Sequence, residues 1–313
     1  MAIDTDYLIE DCIESVKDRS FAPISQTTFQ DADILRILNE EVTRVASRIM
    51  REREDFFLAR KTTALVSGKD HYLLPAQAAG NALKALFLVG SGGDKRLLTR
   101  RDIDRLSEYS SGSGDSSSFY FEGDEVSLMQ APAASTGSLL FVYSRRPSRL
   151  ALTTTCAKIT GVSTAGTLTT FTVSTDLTAS LSVGSSVDFV RSASPFLLWS
   201  EAVAITAITT TTIEVLASEI ADVDGTVEPA ILDYIAPTGY TNIPQLPIEF
   251  HPVLAQRGAI RLLLALGHTE KAQLAKMELR EMEQEAIDLI QNRAESSPER
   301  PSRKRGLIAT FRG

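Results

Sequence analysis

The chain has 313 residues and a formal net charge of -8, with 43% apolar and 23% charged residues. This length allows two domains with separate cores, and the composition is typical of a globular protein. No run approaches the roughly 18 apolar residues of a membrane span, and the N-terminus lacks the pattern of a secretory signal. We therefore expect Cys12 and Cys156 to be reduced thiols in a cytoplasmic product.

Two amphipathic helices are predicted at the N-terminus. The first covers residues 4–17, and the second begins at a cap formed by Asp31 or Asp33 and extends to about Phe56. The apolar residues of the second helix recur at steps of three or four, which places them on one helical face. They are Ile34, Leu38, Val42, Val45 and Ile49.

A β-rich section follows these helices. Short strands are predicted in KTTALV, HYLLP and ALKALFLV, and a hairpin is predicted to turn near Glu122–Asp124. Between them, TRRDIDRLSEY is predicted to be a short helix capped by Thr99, followed by a flexible polar loop over Ser110–Ser118. A last strand, SLLFVYSRRP, is predicted to stop at Pro147.

The composition changes after Leu150. Residues 151–236 contain 17 Thr and 10 Ser but only two basic side chains, and strand-like runs such as AVAITAITTTTIEVL recur between Gly turns. Thr and Val favour pleated, half-buried surfaces, so this pattern predicts a small all-β barrel or sandwich. We interpret it as a domain inserted between residues 1–150 and 237–292, which together form a helical core with β-hairpins.

Two further helices are predicted after the Pro-rich connector TNIPQLPIEFHP. One begins near Pro252 and stops at Gly267, and the other extends from Thr269 to about Asn292. Its apolar positions form a narrow seam that requires a partner helix. They are Ala275, Leu279, Met282, Ala286 and Leu289. The two long helices should share one core layer, so the predicted core and subunit contacts are Leu38, Val42, Ile49, Leu279 and Met282.

No pattern in the sequence predicts catalysis, a metal site or a cofactor. His71, His251 and His268 lack metal-ligand spacing, and structural or surface roles are expected for them. The Gly-rich VGSGGDKR lacks the ending of a phosphate-binding loop and is interpreted as a tight turn. Asp222 and Asp224 match only a fragment of a calcium loop, so a β-turn is expected there.

The basic cluster Arg145–Arg149 is interpreted as a solvated strand edge. Readout of nucleic acid would need more basic residues with interleaved aromatic side chains. With a net charge of -8, affinity for DNA that is independent of sequence is not expected.

The order of segments resembles the head-to-tail adaptor, or head-completion, proteins of tailed bacteriophages. The resemblance rests on the N-terminal helix pair, the Leu- and Ala-rich helix after the β insertion, and four quoted segments. These are HYLLP (His71–Pro75), FYFEGDEVSLMQAP (Phe119–Pro132), LLFVYSRRPSRL (Leu139–Leu150) and DYIAPTGYTNIPQLPIEFHPVL (Asp233–Leu254). The expected fold is therefore α+β, with a helical core, β-hairpins, an inserted barrel-like domain and a C-terminal arm. The β insertion departs from the smallest adaptors, which are mainly helical.

The resemblance implies a non-enzymatic virion protein that is assembled in the host cytoplasm. Such proteins form a homododecameric ring below the portal, close the capsid vertex, line the DNA channel and attach the next tail component. The expected partners are other copies of the chain, the portal, a tail or nozzle protein and DNA in transit, with no membrane and no cofactor. An acidic lumen would suit DNA passage, because a wall that attracts phosphate would slow it.

Two other functions are compatible with the sequence. One is a soluble module that binds glycan or peptide through the β insertion, and the other is an enzyme whose site is assembled from dispersed carboxylates. A cyclic assembly would favour the adaptor, whereas a stable monomer that binds glycan would favour the module.

The C-terminal segment, residues 293–313, is basic in an otherwise acidic chain. Its six basic residues are Arg293, Arg300, Arg303, Lys304, Arg305 and Arg312, against Glu295 and Glu299. Pro298 and Pro301 block continuation of the preceding helix. We predict a flexible arm that folds on the portal, where Leu307, Ile308 and Phe311 add a strand or fill apolar pockets. Arg303–Arg305 would pair with acidic portal residues.

Overall fold

A computed structural model describes residues 7–21, 29–53, 56–102, 116–192, 198–220 and 229–291. It has a mixed α+β architecture with several sheets and a closed barrel, which confirms the predicted fold class. The helices are α1 (Ile9–Arg19), α2 (Asp31–Glu52), α3 (Ala217–Ile220), α4 (His251–Ala265) and α5 (Thr269–Gln291). Tyr7 and Leu8 precede α1 in non-helical conformation, and α2 ends before the extended residue Arg53.

Acidic side chains in the first turn define where α1 and α2 begin. Asp33 accepts the backbone N–H of Gln30 at 3.3 Å, and Asp11 accepts that of Leu8 at 2.9 Å. A carboxylate in this position also interacts favourably with the helix dipole. The N-cap residue of α2 is Gln30, so neither Asp31 nor Asp33 occupies the predicted cap position. Asp33, the third residue of the helix, binds the N–H of Gln30, and Asp31 pairs with Lys17 at 2.5 Å.

Helix α4 is the centre of a helical layer in which it contacts α1, α2 and α5. Pro252 lies in its first turn, where the missing N–H costs nothing, and Gly267 follows its end with a φ of 80°. The layer has one apolar core. Its members include Ile13, Val16, Ile34, Leu38, Val45, Ile49, Leu254, Leu262, Ile287 and Ile290.

Two four-stranded sheets form the β region between α2 and the barrel, with the orders β1-β8-β3-β4 and β2-β7-β6-β5. The strands are β1 (Leu58–Ala64), β2 (His71–Leu73), β3 (Ala78–Val89), β4 (Lys95–Leu97), β5 (Thr99–Arg100), β6 (Ser118–Glu122), β7 (Glu125–Leu128) and β8 (Ser138–Arg145). Leu86 and Phe141 from one sheet share an apolar core with Val126 from the other. The β6–β7 hairpin has the predicted turn.

The prediction that a helix begins at Thr99 is wrong. Thr99 and Arg100 form β5, which pairs in parallel with Ser118 and Phe119 of β6. Pairing with a distant strand has overridden the local pattern here. The remainder of that predicted helix from residue 103, and the predicted loop up to residue 115, lie outside the described residues.

The Thr-rich segment forms a closed barrel of six antiparallel strands, with the order β10-β11-β14-β13-β12-β15. The strands are β10 (Ala157–Ala165), β11 (Leu168–Val173), β12 (Ser186–Val190), β13 (Leu198–Ile208), β14 (Thr212–Leu216) and β15 (Tyr234–Pro237). The rings of Phe171 and Phe189 lie 4.8 Å apart in its interior. The strand-like run AVAITAITTTTIEVL is divided between β13 and β14.

The chain enters and leaves the barrel region through two adjacent strands. β9 (Arg149–Leu150) and β16 (Tyr240–Thr241) pair in parallel. Asn39 of α2 holds this pair, since its Nδ2 donates to the carbonyl of Leu150 at 3.0 Å and its Oδ1 accepts the N–H of Leu150 at 2.7 Å. The division of the chain into domains at residues 151 and 236 remains a prediction.

Candidate assembly surfaces

The predicted core residues of α2 lie inside the helical layer. Leu38, Val42 and Ile49 are buried and belong to the same apolar core as α1, α4 and α5. Because these side chains are covered within one chain, they are not available at its surface for contact with another protein.

The apolar seam predicted for α5 differs in part from the face that packs. Leu279 and Met282 are half-buried beside the core, and Ala286 is buried, but Leu289 is 56% exposed. The other buried side chains of α5 are Ala272, Glu283, Ile287 and Ile290. α5 therefore packs on α4 and α2 through a face rotated from the predicted seam, and this face includes a carboxylate.

A network of ion pairs joins α2, α4 and α5 inside the layer. Glu41 and Glu283 are buried, and Arg257 of α4 binds both carboxylates, at 3.1 Å and 2.5 Å respectively. Arg48 also pairs with Glu283, and Arg44 pairs with Glu41. The partner of Glu41 in α4 is more than two hundred residues further along the chain, so the local sequence gives no sign of this pair.

A second buried network connects the sheets to the barrel, and it corrects the interpretation of Arg145 as part of a solvated edge. Arg145 is 4% exposed, and its Nε lies 2.6 Å from Oε1 of Gln77 and 3.0 Å from Oε1 of Glu201 in β13. Burial lowers the pKa of Arg145, while the neighbouring carboxylates oppose that shift. Arg146, the next residue, is exposed.

Asp188 of the barrel completes this network. It is fully buried, and its two carboxylate oxygens accept the backbone N–H groups of Ala202 and Gly239, each at 2.8 Å. Burial raises the pKa of Asp188, and it also raises the pKa of Glu201. The end of β8, the barrel and the connector after β15 are thus joined through one buried cation and two carboxyl groups.

The outer face of α5 is exposed and combines apolar with acidic side chains. Leu274 and Met277, three residues apart, are 68% and 64% exposed. The acidic members of this face are Glu270, Glu278, Glu281, Glu285 and Asp288, all of them exposed. Two adjacent exposed apolar side chains on one helix are a candidate contact surface for another protein.

The arm predicted to bind the portal lies outside the described residues. Its residues are Arg303, Lys304, Arg305, Leu307, Ile308, Phe311 and Arg312. Asp222 and Asp224 also lie outside them. Within the described part of the chain, no cluster of side chains has the composition of a metal site, and no helix is long and apolar enough to cross a membrane.

His251 is a buried histidine at the start of α4. Its ring stacks on that of Tyr7 with centroids 4.9 Å apart, and its Nε2 lies 3.2 Å from the carbonyl oxygen of Leu246. Burial lowers the pKa of His251. As pH falls through the ordinary histidine value of about 6.5, the unfolded chain therefore binds a proton before the folded chain does.

We accordingly expect His251 to lower the free energy of unfolding as pH falls, by at most about 1.4 kcal/mol per pH unit. His251→Phe keeps a ring against Tyr7 but cannot titrate, so its stability should fall less between about pH 7 and about pH 5. Chemical denaturation at several pH values measures this difference in slope. The exposed His268→Gln is the control and should retain the full slope; equal slopes in the His251 variant and the parent would contradict the prediction.

The comparison with known families agrees with this arrangement of elements. A family model described as SU10 adaptor protein matches residues 8–170, slightly more than half of the chain. The match begins beside α1, includes α2 and both sheets, and ends within β11. No curated protein matches the chain. The match confirms the resemblance to phage head-to-tail adaptors, and the chain therefore belongs to the SU10 adaptor protein family.

Proposed function

We propose that the protein forms a homododecameric ring below the portal of a tailed phage, where it closes the capsid vertex and attaches the next tail component. The match of residues 8–170 to the SU10 adaptor family carries this proposal. A structural adaptor needs surfaces for its neighbours rather than a catalytic site. We propose that the helical layer is the rigid part of the adaptor that holds those surfaces in place. Its buried ion pairs and its apolar core support this proposal.

The acidic character of the chain supports a role in lining the DNA channel. Its net charge of -8 disfavours adsorption of passing DNA, since phosphate is repelled by a wall of the same sign. We propose that DNA passes without sequence-specific binding.

We further propose that residues 151–236 are an inserted domain on the outside of the ring, where an insertion can be accommodated without changing subunit contacts. The barrel is nevertheless joined to the sheets, because Glu201 and Asp188 of the barrel interact with the buried Arg145 at the end of β8. A deletion of 151–236 would leave that arginine buried without its carboxylates. A deletion variant that tests the domain boundary should therefore also carry Arg145→Met.

The C-terminal arm is the proposed contact with the portal. Residues 293–313 carry a net charge of +4, from six basic and two acidic side chains, so the rest of the chain carries -12. A basic segment with an apolar end can bind in two ways at once, through charge pairs that depend on salt and an apolar anchor that does not.

The test compares the full chain with a chain that ends at Asn292, using binding to isolated portal rings measured by sedimentation and electron microscopy. The shortened chain should keep its helical signal and lose portal binding. Matched variants separate the two contributions. Replacing Leu307, Ile308 and Phe311 with Ser should weaken binding at all salt concentrations, whereas replacing Arg303, Lys304 and Arg305 with Ser should chiefly reduce the dependence on salt.

Unchanged portal binding by the shortened chain would overturn the role of the arm. A full-length chain that neither forms rings nor binds the portal, and remains a monomer that binds glycan, would overturn the adaptor proposal as a whole.

A further inference from the structure

A groove of about 460 Å³ lies beside the two strands that connect to the barrel. Its apolar wall includes Leu35 of α2, Leu152 and Pro237. Arg36 and Arg149 also line it. We refer to these five residues as the junction groove.

The junction groove has two arginines with little compensation from nearby carboxylates. Arg36 lies 4.0 Å from Asp33 at the edge of ion-pair distance, and both side chains are exposed enough for water to screen them. The guanidinium of Arg149 lies 5.8 Å from the ring of Tyr240, and no carboxylate of the described residues pairs with it. The groove therefore suits a ligand that presents an apolar side chain flanked by negative charge.

The outer face of α5 has that composition. Leu274 and Met277 are preceded by Glu270 and followed by Glu281, so carboxylates stand about one helical turn on either side of the apolar pair. These four residues project from the face of α5 opposite to the one that packs on α4. No described residue of the same chain covers Leu274 or Met277, which are among the most exposed large apolar side chains.

We propose that the outer face of α5 of one subunit binds in the junction groove of the next subunit. Leu274 and Met277 contact the apolar wall, and Glu270 and Glu281 approach Arg36 and Arg149. The two surfaces lie on different elements, so the contact is head-to-tail and can be repeated around a closed ring. This inference rests on the proposed ring, and it names the two surfaces that would form its subunit contact.

The decisive experiment exchanges charge between the two surfaces. Variant A carries Arg36→Glu and Arg149→Glu, and variant B carries Glu270→Lys, Glu281→Lys and Glu285→Lys. Each should assemble at least about tenfold more weakly than the parent, because like charges then face each other. An equal mixture of A and B should assemble again, since each groove then meets an α5 face of opposite charge. Arg51→Glu, an exposed change at the other end of α2, is the control and should assemble like the parent.

Sedimentation velocity and electron microscopy of the full-length proteins report the outcome. If the parent assembles and variants A and B each assemble as well as the parent, the proposed contact is wrong while the adaptor function stands. If the parent itself forms no ring, the failure belongs to the proposed function. A mixture that stays dissociated although circular dichroism shows both variants folded would also overturn the contact.

Disulfide trapping tests the same contact directly. Ala32→Cys beside the groove and Met277→Cys on α5, combined in one chain, should give a ladder of linked subunits on mild oxidation. Burial raises the pKa of Cys12 and of Cys156 to about 12, so these native thiols should contribute little background. Absence of the ladder would overturn the proposal. If replacing Asp4 and Asp6 with Asn also prevented assembly, the groove would be assigned to the N-terminal residues 1–6 instead.

Discussion

Arg145→Met should destabilise the folded protein by about 3–5 kcal/mol, the cost of removing one partner from a buried ion pair. Arg145 lies between Glu201 and Asp188, and its guanidinium also contacts Gln77 and Ser148. Methionine fills a similar volume but leaves both carboxyl groups without their cation. Since burial already raises the pKa of Glu201 and of Asp188, loss of the arginine should raise both further.

The sign of the pH dependence distinguishes this mechanism from a simple loss of packing. A carboxyl group whose pKa is raised by folding contributes stability that is lost as pH rises through the folded value. The destabilisation by Arg145→Met should therefore be larger near neutral pH than at mildly acid pH, where the carboxyl groups can be protonated. Chemical denaturation at both pH values measures the difference.

Two matched variants complete the test of Arg145. Arg146→Met alters the exposed neighbouring residue and should change stability by no more than about 0.5 kcal/mol. Arg145→Met combined with Glu201→Gln removes one of the stranded charges and should recover part of the loss. A loss below about 1 kcal/mol in the single variant, or no dependence on pH, would show that the network does not hold the barrel on the sheets.

The sequence could predict elements whose pattern is local. The apolar steps from Ile34 to Ile49 define the buried face of α2, and the Thr-rich runs define the strands of the barrel. These patterns arise because side-chain direction repeats with a fixed period along a helix or strand. Prediction is less successful where the partner is distant in sequence, as for β5, which pairs with a strand beyond residue 115.

The buried charges show why the candidate surfaces were harder to predict. Arg145 stands next to Arg146 and Pro147, and a run of basic residues beside proline is typical of an exposed strand end. Its partner Glu201 is more than fifty residues further along the chain, so nothing near Arg145 indicates burial. The same holds for Glu283, whose partner Arg257 lies in a different helix. Only the folded arrangement separates a charge that faces water from one that joins two elements.

At Gly258, α4 packs closely against both α1 and α2, and a larger side chain there should have a large effect on stability. A Cβ atom added there would lie 2.8 Å from Cγ2 of Val16 and 3.1 Å from Cδ2 of Leu38. Both neighbours are buried, and the branched Val16 has little freedom to turn aside. Glycine within a helix costs about 1 kcal/mol relative to alanine, so its presence here reflects a lack of space.

Gly258→Leu should therefore destabilise the protein by about 3 kcal/mol, at the upper end of the usual cost of overpacking. Gly258→Ala should cost less, because the gain in helix propensity offsets part of the clash. The double variant Gly258→Ala with Val16→Ala removes the closest methyl group. Its loss of stability should therefore be smaller than the sum of the losses in the two single variants. Ala265→Leu, an exposed change in the same helix, should alter stability by no more than about 0.5 kcal/mol. If chemical denaturation finds Gly258→Leu as stable as the parent, the three helices do not pack this closely and the helical layer proposed to support the ring contacts is less rigid than described.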